Sequence, residues 1–217
     1  MQSQSGPAGP AVCYIFNQEE CTMADFEKVR RNLEAEGFTV TCLDTAAQAI
    51  DYLDGVLDGK TVGIGGSVTI RDMGLAERLE THNQVFWHWR EGTKEEAAGA
   101  QVYLSSVNAL AETGEIINID GIGNRLASGL YGHEKVYFVV GRNKIVPDYD
   151  AALWRARNVA APKNAQRLQT ATPCAAKGDK CYNCKSPDRI CRAMVVYWEK
   201  PRSMEMEIVL VDEDMGF

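Results

Sequence analysis

The sequence predicts an α/β fold built on a mainly parallel sheet flanked by helices. Three observations carry that prediction. Amphipathic helical stretches alternate with short apolar strands along most of the chain, the order that βαβ units require. The connections are short, and several strands run directly into loops of Gly, Ser, Asn or Asp. With 217 residues and 45% hydrophobic content, the chain is long enough to close a substantial core.

The first dozen residues, rich in Gly, Pro, Ser and Gln, read as a flexible tail, which leaves residues 13–217 as one domain. Beyond Thr22, the positions Met23, Phe26, Val29 and Leu33 recur at helical spacing, and Gly37 stops the helix before a strand over 38–41. A second helix opens at Thr45, whose spacing to Gln48 is that of a capping box, with Ala46, Ile50, Leu53 and Leu57 as its inner stripe. The strand over 61–64 ends in Gly65, Gly66 and Ser67, followed by a further helical segment to Leu79. Ser67 fits an N-cap there, and equally a ligand-facing loop.

Alternation over 85–90 reads as a strand, Thr93 and Glu96 as the cap of a short helix, and 101–105 as the next strand. Residues 114–129 read as an apolar strand that breaks at Asp120-Gly121-Ile122-Gly123 and continues as a helix. The run over 135–140 is a buried strand ending at Lys144. Pro147-Asp148 starts a helix to about Ala160, which Pro162 is expected to interrupt. Strands over 193–198 and 205–211 close the chain and read as an antiparallel pair beyond a cysteine-rich segment, 172–192.

Ligands of open α/β sheets bind outside the carboxyl ends of strands. The ends at Gly65, Ser105, Asp120 and Lys144 therefore define the expected site, with Gly66, Ser67, Asn108, Gly123, Asn124 and Arg125 around it. At the break after Asp120, Arg125 can fork onto a carboxylate or phosphate and Asn124 can hydrogen-bond it. The plainer alternative is that Asp120 caps the helix and the other two pair internally. A dinucleotide fingerprint is not met, because Leu126 stands where the third glycine belongs. Asp120 and Glu112 are the acid/base candidates for catalysis. His82, His88 and His133 show no catalytic pattern, and no G-x-S-x-G accompanies Ser67 or Ser105.

Seven cysteines divide into a scattered early set and a late cluster, Cys174, Cys181, Cys184 and Cys191, spaced C-x6-C-x2-C-x6-C. Four thiols this close in sequence suit one centre, zinc or an iron–sulfur cluster. Incidental thiols on a surface loop are the alternative. The net charge of −7 argues against a general nucleic-acid partner, yet residues 142–192 hold eleven Lys/Arg against four Asp/Glu. That basic segment suits an anionic ligand, cluster or partner, or a solvated face. With no run of membrane-spanning length and no leader pattern, a cytoplasmic protein is expected.

The stretches GGSVTIRDMGL (65–75), NALAETGEIINIDGIGNRLAS (108–128), GRNKIVPD (141–148), RNVAAPKNAQRL (157–168), TPC (172–174), CYNCKSPDRIC (181–191) and IVLVDEDMGF (208–217) together resemble the LUD-domain family. The resemblance is to the short, cysteine-bearing relatives of lactate utilization protein C. It implies a fold similar to the sugar-phosphate isomerase and CoA-transferase superfold. It also implies a redox-linked role in the use of lactate or related hydroxy and keto acids, with a small anionic metabolite and redox subunits as partners. Gly65, Gly66, Ser67, Asn108, Asp120, Gly123, Asn124, Arg125 and Lys144 would surround the pocket. Other readings are a transferase or isomerase of a phosphorylated or CoA-linked metabolite, and a non-catalytic assembly subunit.

Overall fold

The structure, a computed structural model, describes residues 25–90 and 94–217. The expected tail, Cys13, Cys21, the opening turn at Thr22 and Met23, and the cap at Thr93 lie outside the described residues.

Asp25 caps α1 (Phe26–Ala35) by accepting from Lys28 N at 3.0 Å, and Val29 and Leu33 are buried as their spacing requires. β1 (Thr39–Leu43) follows. Thr45 then caps α2 (Ala46–Val56), accepting from Gln48 N at 3.2 Å, while the Gln48 side chain reaches back to Asp44 N. β2 (Thr61–Ile64) leads through Ser67, the N-cap of α3 (Val68–Met73), to a left-handed Gly74 and α4 (Leu75–Leu79). β3 (Gln84–Trp87) is shorter than its alternation suggests, because the chain leaves the sheet at His88 in a turn. After α5 (Lys94–Ala98) come β4 (Val102–Ser105), β5 (Ala109–Ala111), β6 (Ile116–Asp120) and α6 (Asn124–Leu130). β7 (Lys135–Gly141), a 3-10 turn (Arg142–Lys144) and β8 (Ile145–Val146) follow.

α7 (Tyr149–Arg155) does not stop near Pro162. It passes through a π turn (Ala156–Ala160) into α8 (Ala161–Arg167). Within the π turn the Ala161 N–H reaches back five residues to Ala156 O, and Pro162, which has no N–H to give, sits in the first turn of α8. The wider turn relieves the clash by which a proline ring would otherwise break a helix. α9 (Pro173–Lys177), β9 (Ala193–Tyr197) and β10 (Glu205–Val211) complete the chain.

The six-stranded sheet has the order β1-β10-β7-β4-β2-β3 and is parallel throughout. A second sheet, β8-β5-β6-β9, pairs β6 antiparallel to both β5 and β9. The last two strands therefore exist where expected but are not partners. β10 inserts between β1 and β7, whereas β9 joins the second sheet. β9, exposed at Ala193 and Met194 and buried only at Tyr197, suits a sheet edge, while β10, buried from Met206 to Val211, suits the sheet interior.

Both faces of the parallel sheet are covered. On one, Ile64, Leu104, Val139 and Val209 meet Leu53, Ile70, Leu75 and Leu79 of α2, α3 and α4. On the other, Tyr103, Phe138 and Ile208 meet Val29 and Leu33 of α1 and Leu110, Ile116 and Tyr197 of the second sheet. The outer face of that second sheet, at Ala109, Ile117 and Ile119, packs on Ala152 and Ala156. No helix among the described residues is long and apolar enough to cross a membrane.

Candidate functional site

β2 continues into α3 and α4 on one face of the sheet, and its neighbour β4 continues into β5, β6 and α6 on the other. The carboxyl ends of β2 and β4 thus flank a switch point, where an open α/β sheet leaves a crevice. A cavity of about 280 Å³ lies there, lined by Gly66, His88, Trp89, Lys94, Asn108, Ile119, Asp120, Gly121, Ile122, Asn124, Arg125, Ala161, Asn164, Arg167, Leu168 and Ile190. A smaller one of about 40 Å³ shares Gly66, Asn108, Arg125 and Asn164 with it and adds Ser67, Thr69, Ser106 and Lys144.

Most of the expected site residues meet at these two cavities. Asp120 is the hinge of the β6–α6 turn: Oδ1 accepts from Gly121 N at 2.7 Å and Oδ2 from Arg125 N at 3.0 Å. Its carboxylate therefore occupies the N–H groups that a bound anion would otherwise use at the start of α6. Arg125 is held by Ile119 O at 2.5 Å and lies 3.5 Å from Asp120 through Nε. Gly123 supplies the left-handed turn residue, φ +95°, with no neighbour near its missing Cβ. Gly65 lines neither cavity, its N–H bound to Leu104 O. Ser67 acts as an N-cap, accepting from Ile70 N at 3.3 Å. Glu112 is not brought to either cavity: it accepts from Lys28 at 2.8 Å.

Asn108 fastens β5 to β6, its Oδ1 accepting from Ile119 N at 2.7 Å, and its own carbonyl accepts from the buried Arg155. Lys144 is 3% exposed and donates to Thr69 Oγ1 and Ser106 Oγ, each at 2.8 Å. Burial, with the charges of Arg155 and Arg125, pushes its amine down to about 7. Burial alone lowers Arg155 to about 10.

The larger cavity also contains Asn164, Arg167 and His88, which are not among the expected site residues. Arg167 donates to Asn164 Oδ1 at 3.0 and 2.8 Å, stacks 5.1 Å from the Trp89 ring, and has no carboxylate partner among the described residues. Burial, then Arg71 and Arg125, hold its guanidinium below the usual range. His88 Nδ1 lies 2.8 Å from the Asn124 amide nitrogen, so the ring accepts there and carries its proton on Nε2. Burial and the nearby Arg125 push His88 down to about 4, which keeps it neutral near pH 7. With Lys94, Arg125 and Arg167 against a single Asp120 already paired, the lining has an excess of positive charge that can hold a carboxylate or a phosphate. The basic segment over 142–192 and the spacing Asn164 to Arg167, one turn of helix, are the sequence signals that point to this pair, and the supposed break at Pro162 concealed their meeting.

The four late cysteines share one small cavity of about 20 Å³, with Arg157, Ala161, Pro162, Thr172, Arg189 and Ile190. Polar groups address the sulfurs: Asn183 N lies 3.3 Å from Cys181 Sγ, Thr172 Oγ1 3.3 Å from Cys174 Sγ, and Arg157 Nη2 3.8 Å from Cys181 Sγ. A hydrogen bond to Cys191 and the charges of Cys191, Cys184 and Cys181 raise Arg189 above its ordinary range. The donor set suits a soft metal centre. As placed, no three Cys, His, Asp or Glu side chains among the described residues are gathered tightly enough to grip one ion.

This segment stands directly behind the larger cavity. Ala161 and Ile190 line both spaces, Arg192 N donates to Asp120 O at 3.0 Å, and a Cβ on Gly121 would come within 2.9 Å of Ile190 O.

The fold and cavity define an α/β protein with a ligand-sized crevice at the carboxyl ends of a parallel sheet. The LUD domain matches residues 26–211, and the chain belongs to that family. Its structure is similar to the crystal structure, at 1.70 Å resolution, of a DUF162-family protein from Deinococcus radiodurans. That likeness has a TM-score of 0.50 at 13% identity and covers 85% of this chain and 94% of the other, which bears on the fold alone. No curated protein matches the chain.

Proposed function

We propose that this LUD-domain protein is a redox-linked component of the use of lactate or a related hydroxy or keto acid, an oxidoreductase component working with redox partner subunits. The observation that carries this reading is the common wall of the two spaces, in which Ala161 and Ile190 separate a cationic cavity from four cysteines. Arg125 and Arg167 anchor the carboxylate, and Asn124 and Asn108 orient the rest of the acid. Lys144, expected around the pocket, is not an anchor in this reading, since it is already engaged by two hydroxyls. Cys174, Cys181, Cys184 and Cys191 hold an iron–sulfur cluster or zinc, and loading draws their sulfurs inward. An iron–sulfur cluster would supply one-electron transfer beside the acid; zinc would fix the segment.

Anaerobic purification with metal analysis and an absorption spectrum tests the cysteine half: iron with broad absorbance supports redox work, and a metal-free protein removes it. Calorimetry with lactate and pyruvate tests the anchor. Arg125→Ala and Arg167→Ala should each weaken binding by roughly tenfold or more, as expected when a charged hydrogen bond of about 1.5–3 kcal/mol is lost. Unchanged affinity in both variants would defeat the anchoring role. The same cations also suit a phosphate, which keeps a transferase or isomerase of a phosphorylated or CoA-linked metabolite as the second reading. Native mass spectrometry that found such a compound retained would favour it.

A further inference from the structure

Lys144 poses a chemical question that anion binding does not answer. Its two hydroxyl partners have their hydrogens committed elsewhere, Ser106 Oγ donating to Val139 O at 2.6 Å and Thr69 Oγ1 to Met215 O at 3.4 Å. Both therefore meet Nζ as acceptors. A neutral amine has two hydrogens, one for each hydroxyl, and keeps a lone pair. An ammonium would carry a third N–H, for which no acceptor lies within hydrogen-bond distance among the described residues. No Asp or Glu side chain is paired with it either; the side-chain charges that act on it, Arg155 from α7 and Arg125 from α6, are both cationic, and Phe217, which lines the same small cavity, accepts from Arg155 at 3.4 Å. A buried amine relieved of its charge and bordering a cavity is the environment in which lysine becomes a nucleophile toward carbonyl carbon.

We infer that Lys144 is a carbonyl-reactive amine that captures the 2-oxo group of a ligand entering from the larger cavity as an imine. The Nζ lone pair forms a bond to the carbonyl carbon, and the carbonyl π pair moves onto oxygen. That oxygen then leaves as water, carrying both amine hydrogens, and a C=N bond remains. No electrons are gained or lost. The step gives the site a way to tell a 2-oxo acid from the corresponding 2-hydroxy acid, which offers no carbonyl to attack. The choice of an acid as ligand rests on the proposed function; the reactivity of the amine does not.

Borohydride trapping separates the two. The whole protein at pH 7.5 is treated with sodium borohydride and either glyoxylate or acetaldehyde, an aldehyde without a carboxylate, and adducts are located by peptide mapping. Lys144 should be modified by both probes, roughly tenfold faster than any other lysine, with glyoxylate the faster probe. Lys144→Arg should lose the adduct, and the wild-type map stands by itself if that variant does not fold. Adducts spread over surface lysines, or none at Lys144, would overturn the inference. An adduct from acetaldehyde with no preference for glyoxylate would uphold the amine and count against the acid. Calorimetric binding of glyoxylate with no trapping at Lys144 would do the reverse.

Discussion

Glu207 lies in β10, 1% exposed, where a parallel sheet normally places an apolar side chain. It is tolerated because three donors meet it: Lys135 Nζ at 2.7 Å, Tyr52 OH at 2.6 Å and Thr41 Oγ1 at 2.8 Å. Burial pushes its carboxyl up, but those hydrogen bonds outweigh burial and leave it below its ordinary value of 4.5. Lys135 moves the opposite way, lowered by burial yet raised overall by Glu207 and Tyr137. A depressed carboxyl stabilises the fold at pH values above its unfolded pKa, and that contribution disappears as pH falls through the folded one. Glu207→Ala should cost about 2 kcal/mol or more in chemical denaturation near pH 7, since it leaves a cation and two hydroxyls without their acceptor. The difference from wild type should shrink below pH 4.5. A constant difference from pH 7 to 3 would mean that packing, not the carboxylate, carries the effect. Nothing in the sequence around Glu207 signals this role, because its partners come from three other elements. Asp120 and Arg125 were legible because their roles arise within one turn.

At the level of elements, regular patterns were readable and pairing was not. The buried strands over 61–64 and 135–140 and the capped helix from Thr45 have local signatures that the structure reproduces. β5 and β8, of three and two residues, are too short to show any period. The separation of β9 from β10 into different sheets depends on tertiary packing. The π turn reversed the expectation at Pro162 and brought Asn164 and Arg167 to the cavity. The cysteine segment meets the β6–α6 turn at Gly121, where backbone faces backbone. Gly121→Ala should force Ile190 away, at about 1–3 kcal/mol, and, with the cysteines holding a metal as proposed, lower the metal retained per chain. Gly123→Ala is the matching control: its φ of +95° costs about 1 kcal/mol of strain, but nothing lies within 4 Å of the added Cβ. Equal metal content in the two variants would show that the Gly121 contact does not support the cysteine site.

Across the whole molecule the basic stretch of residues 142–192 is folded around the cavities, not spread over a solvated face alone. Lys144 borders the small cavity, Arg167 the large one, and Arg157 and Arg189 the cysteines, while Arg192 joins Arg157, Cys181 and Cys191 around a further space of about 250 Å³. Two cavities that share Ala161 and Ile190 cannot rearrange independently if loading the cysteines draws their segment inward. Linkage then requires each ligand to alter the affinity for the other by the same factor. If the proposed acid site and cysteine centre both hold, pyruvate titrated into metal-loaded and chelator-stripped protein should bind with affinities that differ by about fivefold or more, the lower end of ordinary coupling energies of about 1–3 kcal/mol. The reciprocal measurement is the equilibrium metal affinity in competition with a chelator, which saturating pyruvate should raise by the same factor if it binds the loaded form more tightly. Screening by salt weakens the anion in both forms alike, so the ratio of the two affinities, not either alone, reports the coupling. A ratio of one at every ionic strength would mean that the shared wall is rigid and that the two spaces work separately.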